Sequence, residues 1–262
     1  GVAAAPLLTG LILVHYDWRL AFVIPGVISV LIGIIFLILV GKRVAKAPET
    51  TERERVHVGF AAGWQRALFS VSLVTAAGGF VFGSMTFIIP RMFEVKMPGI
   101  SIDIAATGLL AGIVYAVAAF AQLIVGRAID KYRIKPILLF VAFGQPIFLG
   151  LMSLQVDYAL FTVSLIAMAF VFGQIPISDA VLSRYVPDQW RTKILSLKFL
   201  LNLVVGAIAL LAARTILASG NGFEVVIIML AVAACFIVLA ALVLPARSGI
   251  ELEDPRYLEP VK

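Results

Sequence analysis

One cysteine and two histidines in 262 residues leave little material for redox or metal chemistry. Cys235 lies inside an apolar run with no second thiol to join, and His15 and His57 lack ligand-like spacing, so neither a disulfide nor a structural metal is expected. Charge is scarce as well. Asp, Glu, Lys and Arg make up 14% of the chain and hydrophobic residues 62%, against about 45–50% in soluble domains. A chain so composed cannot cover itself with polar surface, and lipid must cover the rest. The fifteen acidic residues fall in gaps between apolar runs or near run ends, which leaves no carboxylate in the middle of a run to carry a proton. There is no G-x-x-x-x-G-K-[ST] phosphate loop, and neither H-E-x-x-H nor G-x-S-x-G occurs, so ATP hydrolysis within this chain and common forms of intramembrane hydrolysis lack their motifs. The net charge of +6 does not point to nucleic acid, because the basic residues are divided among short gaps rather than gathered on one face. No cofactor is expected.

What the chain does have is long apolar runs. A bilayer core takes about 20 apolar residues per helix, and that length picks out spans at 20–40, 67–90, 104–126, 136–154, 158–182, 195–218 and 223–245. An eighth run, 1–14, is short and ends at the polar turn His15-Tyr16-Asp17-Trp18-Arg19. It has no basic segment ahead of it and no initiating Met, so it reads as the end of a helix that starts before Gly1 rather than as a signal peptide. The expected fold class is therefore an all-α polytopic membrane protein.

Lys and Arg orient the spans. Sixteen lie in one set of alternate gaps, at 41–66, 127–135, 183–194 and the tail from Ala246, against three in the other set: Arg19, Arg91 and Lys96. Lys198 and Arg214 fall inside a span, near its two ends. The positive-inside rule puts the richer set, and the C-terminus, in the cytoplasm. Segment 41–66 is the one long gap, and its run KAPETTERERVH is poor in apolar residues, as a surface linker should be. It divides the chain into 1–40, with two spans, and 67–245, with six, followed by a tail at 246–262.

The gap after Gly126 reads GRAIDKYRIK. Gly126, Asp130, Lys131 and Lys135 match a G-x-x-x-D-[RK]-x-G-[RK]-[RK] turn, with Arg133 and Ile134 departing from it. With six spans after a long loop and this turn between the second and third of them, the chain resembles the major facilitator superfamily. Its members are two six-helix halves joined by a long cytoplasmic loop. The resemblance implies a helical bundle of that type, with eight of twelve helices present (five to twelve) and the partner helices of the N-terminal half preceding Gly1. It also implies a secondary transporter that moves a small organic solute by alternating access in a plasma membrane, here a bacterial inner membrane. Ala5-Pro6-Leu7-Leu8-Thr9-Gly10 resembles a Gly-Pro pattern of exporters. An importer of organic anions using Arg91 and Arg214, and a permease subunit driven by a separate ATPase, stand as alternatives; an intramembrane enzyme is the more distant one.

By the same resemblance Gly126, Arg127, Asp130 and Lys131 form a gating turn, Asp130 facing the start of the first span, with Asp179 and Arg184 completing a charge cluster. The competing account is that these charges merely snorkel to water. Candidate solute contacts are the polar residues within spans: Thr86, with Ser84 nearby, Tyr115, Gln122, Gln174 and Asn202. Gln145 is left out because the resemblance puts its helix at the periphery. Gly173-Gln174-Ile175-Pro176 combines a lone amide with a proline that removes a helical hydrogen bond, and Gln174 serves either as a solute or hinge group or as a tie to a neighbouring helix. The G-x-x-x-G pairs Gly79/Gly83 and Gly108/Gly112 read as close helix packing. A coupling proton, if used, falls to Asp179 or to the absent half.

Overall fold

Every apolar run is a helix in the computed structural model, which describes residues 2–40, 59–100 and 103–245. The helices are α1 (Ala4–His15), α2 (Leu20–Leu39), α3 (Trp64–Lys96), α4 (Ile104–Lys131), α5 (Ile134–Ser153), α6 (Asp157–Tyr185), α7 (Asp188–Ala218) and α8 (Phe223–Val243). Seven of them, α2 to α8, are long and apolar enough to cross a bilayer; α1 is shorter. The chain is a multi-pass membrane protein built as a helical bundle, and no strand occurs among the described residues. This follows from the solvent: in hydrocarbon each backbone N–H and C=O has to be paired within its own segment.

Four helices outrun the apolar stretches that announced them. α3 extends to Lys96 and back to Trp64, α4 reaches Lys131, α6 reaches Tyr185 and α7 starts at Asp188. Hydropathy ends where the hydrocarbon ends, whereas helical hydrogen bonding continues through the polar interface. The gaps expected at 127–135 and 183–194 therefore shrink to Tyr132-Arg133 and Val186-Pro187. Most of segment 41–66 and all of 246–262 lie outside the described residues, but the end of the linker is anchored. Gly63 takes a left-handed conformation (φ 78°) just before α3, the Ala61 amide donates to the Tyr185 carbonyl at 3.3 Å, and Phe60 packs on Trp64 and Trp190.

α3 is the hub. It packs against α6, α7 and α8 and buries fifteen residues, among them Val74, Val81, Met85, Ile89 and Met92. α4 pairs with α6, and α5 with α8 and α6, closing a six-helix unit; α1 lies along α4, and α2 packs on α1. At the other extreme, α2 buries none of its residues and α7 only Ala209 and Ala213, so both present apolar flanks outward.

Without a hydrophobic drive between helices in lipid, association depends on close van der Waals contact, which small residues permit. A Cβ on Gly108 would sit 2.5 Å from the Pro6 carbonyl oxygen, one on Gly10 2.9 Å from the Ile104 carbonyl oxygen, and one on Gly83 3.1 Å from the Gly206 Cα. Both G-x-x-x-G pairs are thus helix seams, Gly108/Gly112 toward α1 and Gly79/Gly83 toward α7. Gly108→Ala should lower unfolding stability in mixed micelles by about 1–3 kcal/mol through overpacking. Gly150→Ala, which meets nothing within 4 Å, should be neutral or gain up to about 1 kcal/mol from helix propensity. Equal responses of the two variants would refute the seam.

Candidate functional site

Two cavities flank α3, one toward each of its ends. The larger, about 620 Å³, lies between α1, α3 and α4, and its walls include Pro6, Thr9, Thr86, Arg91, Glu94 and Tyr115. Proline chemistry organises its floor. Pro90 has no N–H, so the Thr86 carbonyl four residues earlier loses its helical donor. The Tyr115 hydroxyl, from α4, donates to that carbonyl at 2.9 Å, and the ring stacks against Phe172 of α6 with a 15° interplanar angle. The Thr86 hydroxyl is turned back to the Phe82 and Gly83 carbonyls, both at 3.0 Å. At the rim Arg91 pairs with Glu94 at 2.6 Å, so the cavity carries no uncompensated arginine.

Of the expected solute contacts, Thr86 and Tyr115 meet here; the other three do not. Gln122 is half-buried, about two turns along α4 from Tyr115, and lines neither cavity. Asn202 presses against α3, where a Cβ on Gly79 would lie 2.5 Å from its Oδ1. Gln174 is buried among helices: its Oε1 accepts from Gln145 Nε2 at 2.8 Å, and its own Nε2 lies against Gly78, where a Cβ would come within 1.7 Å. Gln145, set aside at the sequence level, is fully buried, and its Oε1 has no partner among the described residues. The signal was present in Gln145-Pro146, a second amide beside a proline in an apolar helix, since such an amide has to find a partner on a neighbouring helix.

At the Lys- and Arg-rich end, the residues of the GRAIDKYRIK motif are mostly helical. Gly126, Arg127, Asp130 and Lys131 occupy the last turns of α4, and only Tyr132 and Arg133 are extended before α5. The basic residues around them cap helix ends. Lys135 Nζ donates to the Leu242 and Leu244 carbonyls at 3.0 and 2.6 Å, Arg184 Nη2 to the Ile129 carbonyl at 2.9 Å, and Arg191 Nη2 to the Ser183 carbonyl at 3.1 Å. Orphan carbonyls at a helix C-terminus attract cations through both hydrogen bonding and the helix dipole. Asp130 is exposed and makes no ion pair among the described residues.

The expected four-residue charge cluster is divided. Arg184 joins the end of α4, whereas Asp179 pairs with Lys198 of α7. Five residues separate Asp179 from Arg184, about 140° around the helix, so one helix cannot point both at the same neighbour. Lys198 Nζ also donates to Ser178 Oγ at 3.3 Å. It lines the second cavity, about 270 Å³, between α3, α6 and α7.

The family model of the Major Facilitator Superfamily matches residues 1–174, from α1 through most of α6. The chain belongs to the Major Facilitator Superfamily. No curated protein matches it significantly. As a member of that superfamily it is a membrane transport protein.

The Pro90–Thr86–Tyr115 arrangement has a measurable coupling. Tyr115→Phe should cost about 1–3 kcal/mol by leaving the Thr86 carbonyl buried without a donor. In a Pro90→Ala background, where the residue 90 amide can serve that carbonyl, the same change should cost well under half as much. Additive losses in the double-mutant cycle would show that the tyrosine hydroxyl does not replace the missing amide.

Proposed function

We propose that the chain is part of a secondary carrier that moves a neutral or lipophilic small organic solute by alternating access. In this reading α1 and α2 belong to one moving unit and α3–α8 to the other, 41–66 is the connecting loop and 246–262 a tail. The Lys- and Arg-rich end faces the cytoplasm of a plasma membrane, in a bacterium the inner membrane, and export is the favoured direction because of the Pro6–Gly10 stretch of α1. The observation that carries the reading is the 620 Å³ cavity bounded by α1 on one side and by α3 and α4 on the other. Its volume suits a small organic molecule. Its wall is apolar with a few hydroxyls, and its one arginine is neutralised by Glu94.

Gating is assigned to the end of α4, with Asp130 engaging the opposite unit when the cytoplasmic side closes; its exposure, next to the Ile129 carbonyl that Arg184 caps, supports the reading. A coupling proton, if the carrier uses one, is assigned either to the opposite unit or to Asp179, which lies farther from a helix end than any other carboxylate among the described residues.

The test uses the full-length product of the native gene in proteoliposomes, with counterflow measured for panels of neutral, cationic and anionic organic solutes. Thr9→Trp, which fills the cavity, should abolish counterflow without loss of folded protein. Arg91→Gln should leave transport within about twofold, whereas an anion carrier would lose tenfold or more, a change worth about 1.4 kcal/mol. Asp130→Asn should slow transport by about tenfold at unchanged thermal stability. A transport rate equal to wild type in that variant removes the gating role.

A further inference from the structure

The second cavity holds donors that no other described residue uses. An ammonium has three N–H groups; Lys198 Nζ gives one to Asp179 Oδ1 and one to Ser178 Oγ, and has no third partner among the described residues. The Lys198 side chain is only 13% exposed, though its position on α7 is about 15 Å from the helix start. Thr75, on α3, is 6% exposed, and its hydroxyl has no partner among the described residues. This sets it apart from Thr86, Thr107, Thr162 and Thr215, each of which bonds the carbonyl four residues back in its own helix. Leaving a buried hydroxyl unpaired is costly when the local carbonyl is within reach. Both unused donors line one cavity of about 270 Å³, roughly nine water volumes. Leu68, Leu182 and Leu197 make up much of the remaining wall.

We propose that this cavity binds a small amphiphilic carboxylate, its head bridging Lys198 and Thr75 and its hydrocarbon body lying on Leu68, Leu182 and Leu197. The cation selects an anion. Two donors on facing helices suit the two oxygens of a carboxylate, and the aliphatic wall rejects a fully hydrated ion. Asp179 is the resting counter-ion of Lys198, half exposed and therefore able to turn to water when the ligand arrives. The site is separate from the solute cavity proposed above, lies toward the other end of α3, and stands whether or not that cavity is the transport route.

The probe is hexanoate, which has eight non-hydrogen atoms and is too short to act as a detergent, tested on the full-length native chain in lipid nanodiscs by calorimetry and by thermal shift. Saturable binding is expected, with hexanamide at least tenfold weaker. Lys198→Gln should abolish it and Thr75→Val should weaken it about tenfold, the scale of a hydrogen bond to a charged group. Asp179→Asn should tighten binding, because the competing carboxylate is gone; a purely structural ion pair would show no such gain. If Lys198→Gln fails to fold, the charge-free pair Asp179→Asn with Lys198→Gln takes its place, with the same loss expected. Absence of hexanoate binding to the wild type, or equal binding to wild type, Thr75→Val and the lysine variant, overturns the proposal.

Discussion

Every backbone polar group that enters the hydrocarbon has to bring its partner with it, and the rest of this structure depends on that requirement. It makes each apolar run a helix. It also determines what happens where a helix is interrupted. Pro90 deprives the Thr86 carbonyl of its donor, and a tyrosine from another helix supplies one. At the Lys- and Arg-rich end, where the last carbonyls of α4, α6 and α8 have no further turn to serve them, Arg184, Arg191 and Lys135 do so. The same cations that orient the chain across the membrane thus also finish its helices. One set of residues answers two demands because both arise at the same depth, where helix ends meet water.

The second constraint is that lipid gives apolar side chains no reason to prefer one another. Contacts have to be gained by proximity, and proximity requires small residues. Gly10 on Gly108 and Gly83 on Gly206 bring backbones together in the two seams, and the amides of Gln174 and Asn202 lie directly on the α3 backbone at Gly78 and Gly79. Large side chains fill the space between seams, as Met85, Ile89 and Met92 do along α3.

These two constraints explain which parts of the molecule were legible in the sequence. Span number and the small-residue seams could be read because each follows from a local pattern: twenty apolar residues or glycines four apart. Helix ends were less legible, because hydropathy reports the edge of the hydrocarbon while Trp64, Lys131 and Asp188 continue helices beyond it. Partnerships between distant helices were hardest. Thr86 and Tyr115 were both flagged, yet nothing local says that they share a hydrogen bond; Pro90 was the clue, since its missing amide guarantees a carbonyl in want of a donor. Lys198 could be placed inside a span near its end, but nothing local shows that it is the partner of Asp179 across α6 and α7. Gln145 was discounted on the position of its helix, although a lone amide in an apolar run demands a partner wherever the helix lies.

The middle of α3 brings these threads together. The larger cavity touches α3 from Thr86 onward and the smaller one touches it up to Thr75, eleven residues or about 16 Å apart along the axis. Between them lie Gly78, Gly79 and Gly83, each in contact with a neighbouring helix at a distance no Cβ would allow without movement. A carrier working by alternating access needs a barrier between its two sides that can reform after each cycle. Here the packed segment combines backbone against backbone and backbone against amide with large side chains set between them, Phe82 on Phe172 and the buried Met85. Such a seam closes by shape, because Gln174 of α6 and Asn202 and Gly206 of α7 occupy the space that Cβ atoms on α3 would take. A Cβ at Gly78 or Gly79 has to displace the Gln174 or Asn202 amide, so substituting these glycines loosens the packing of α6 and α7 on α3 and with it the separation of the two cavities.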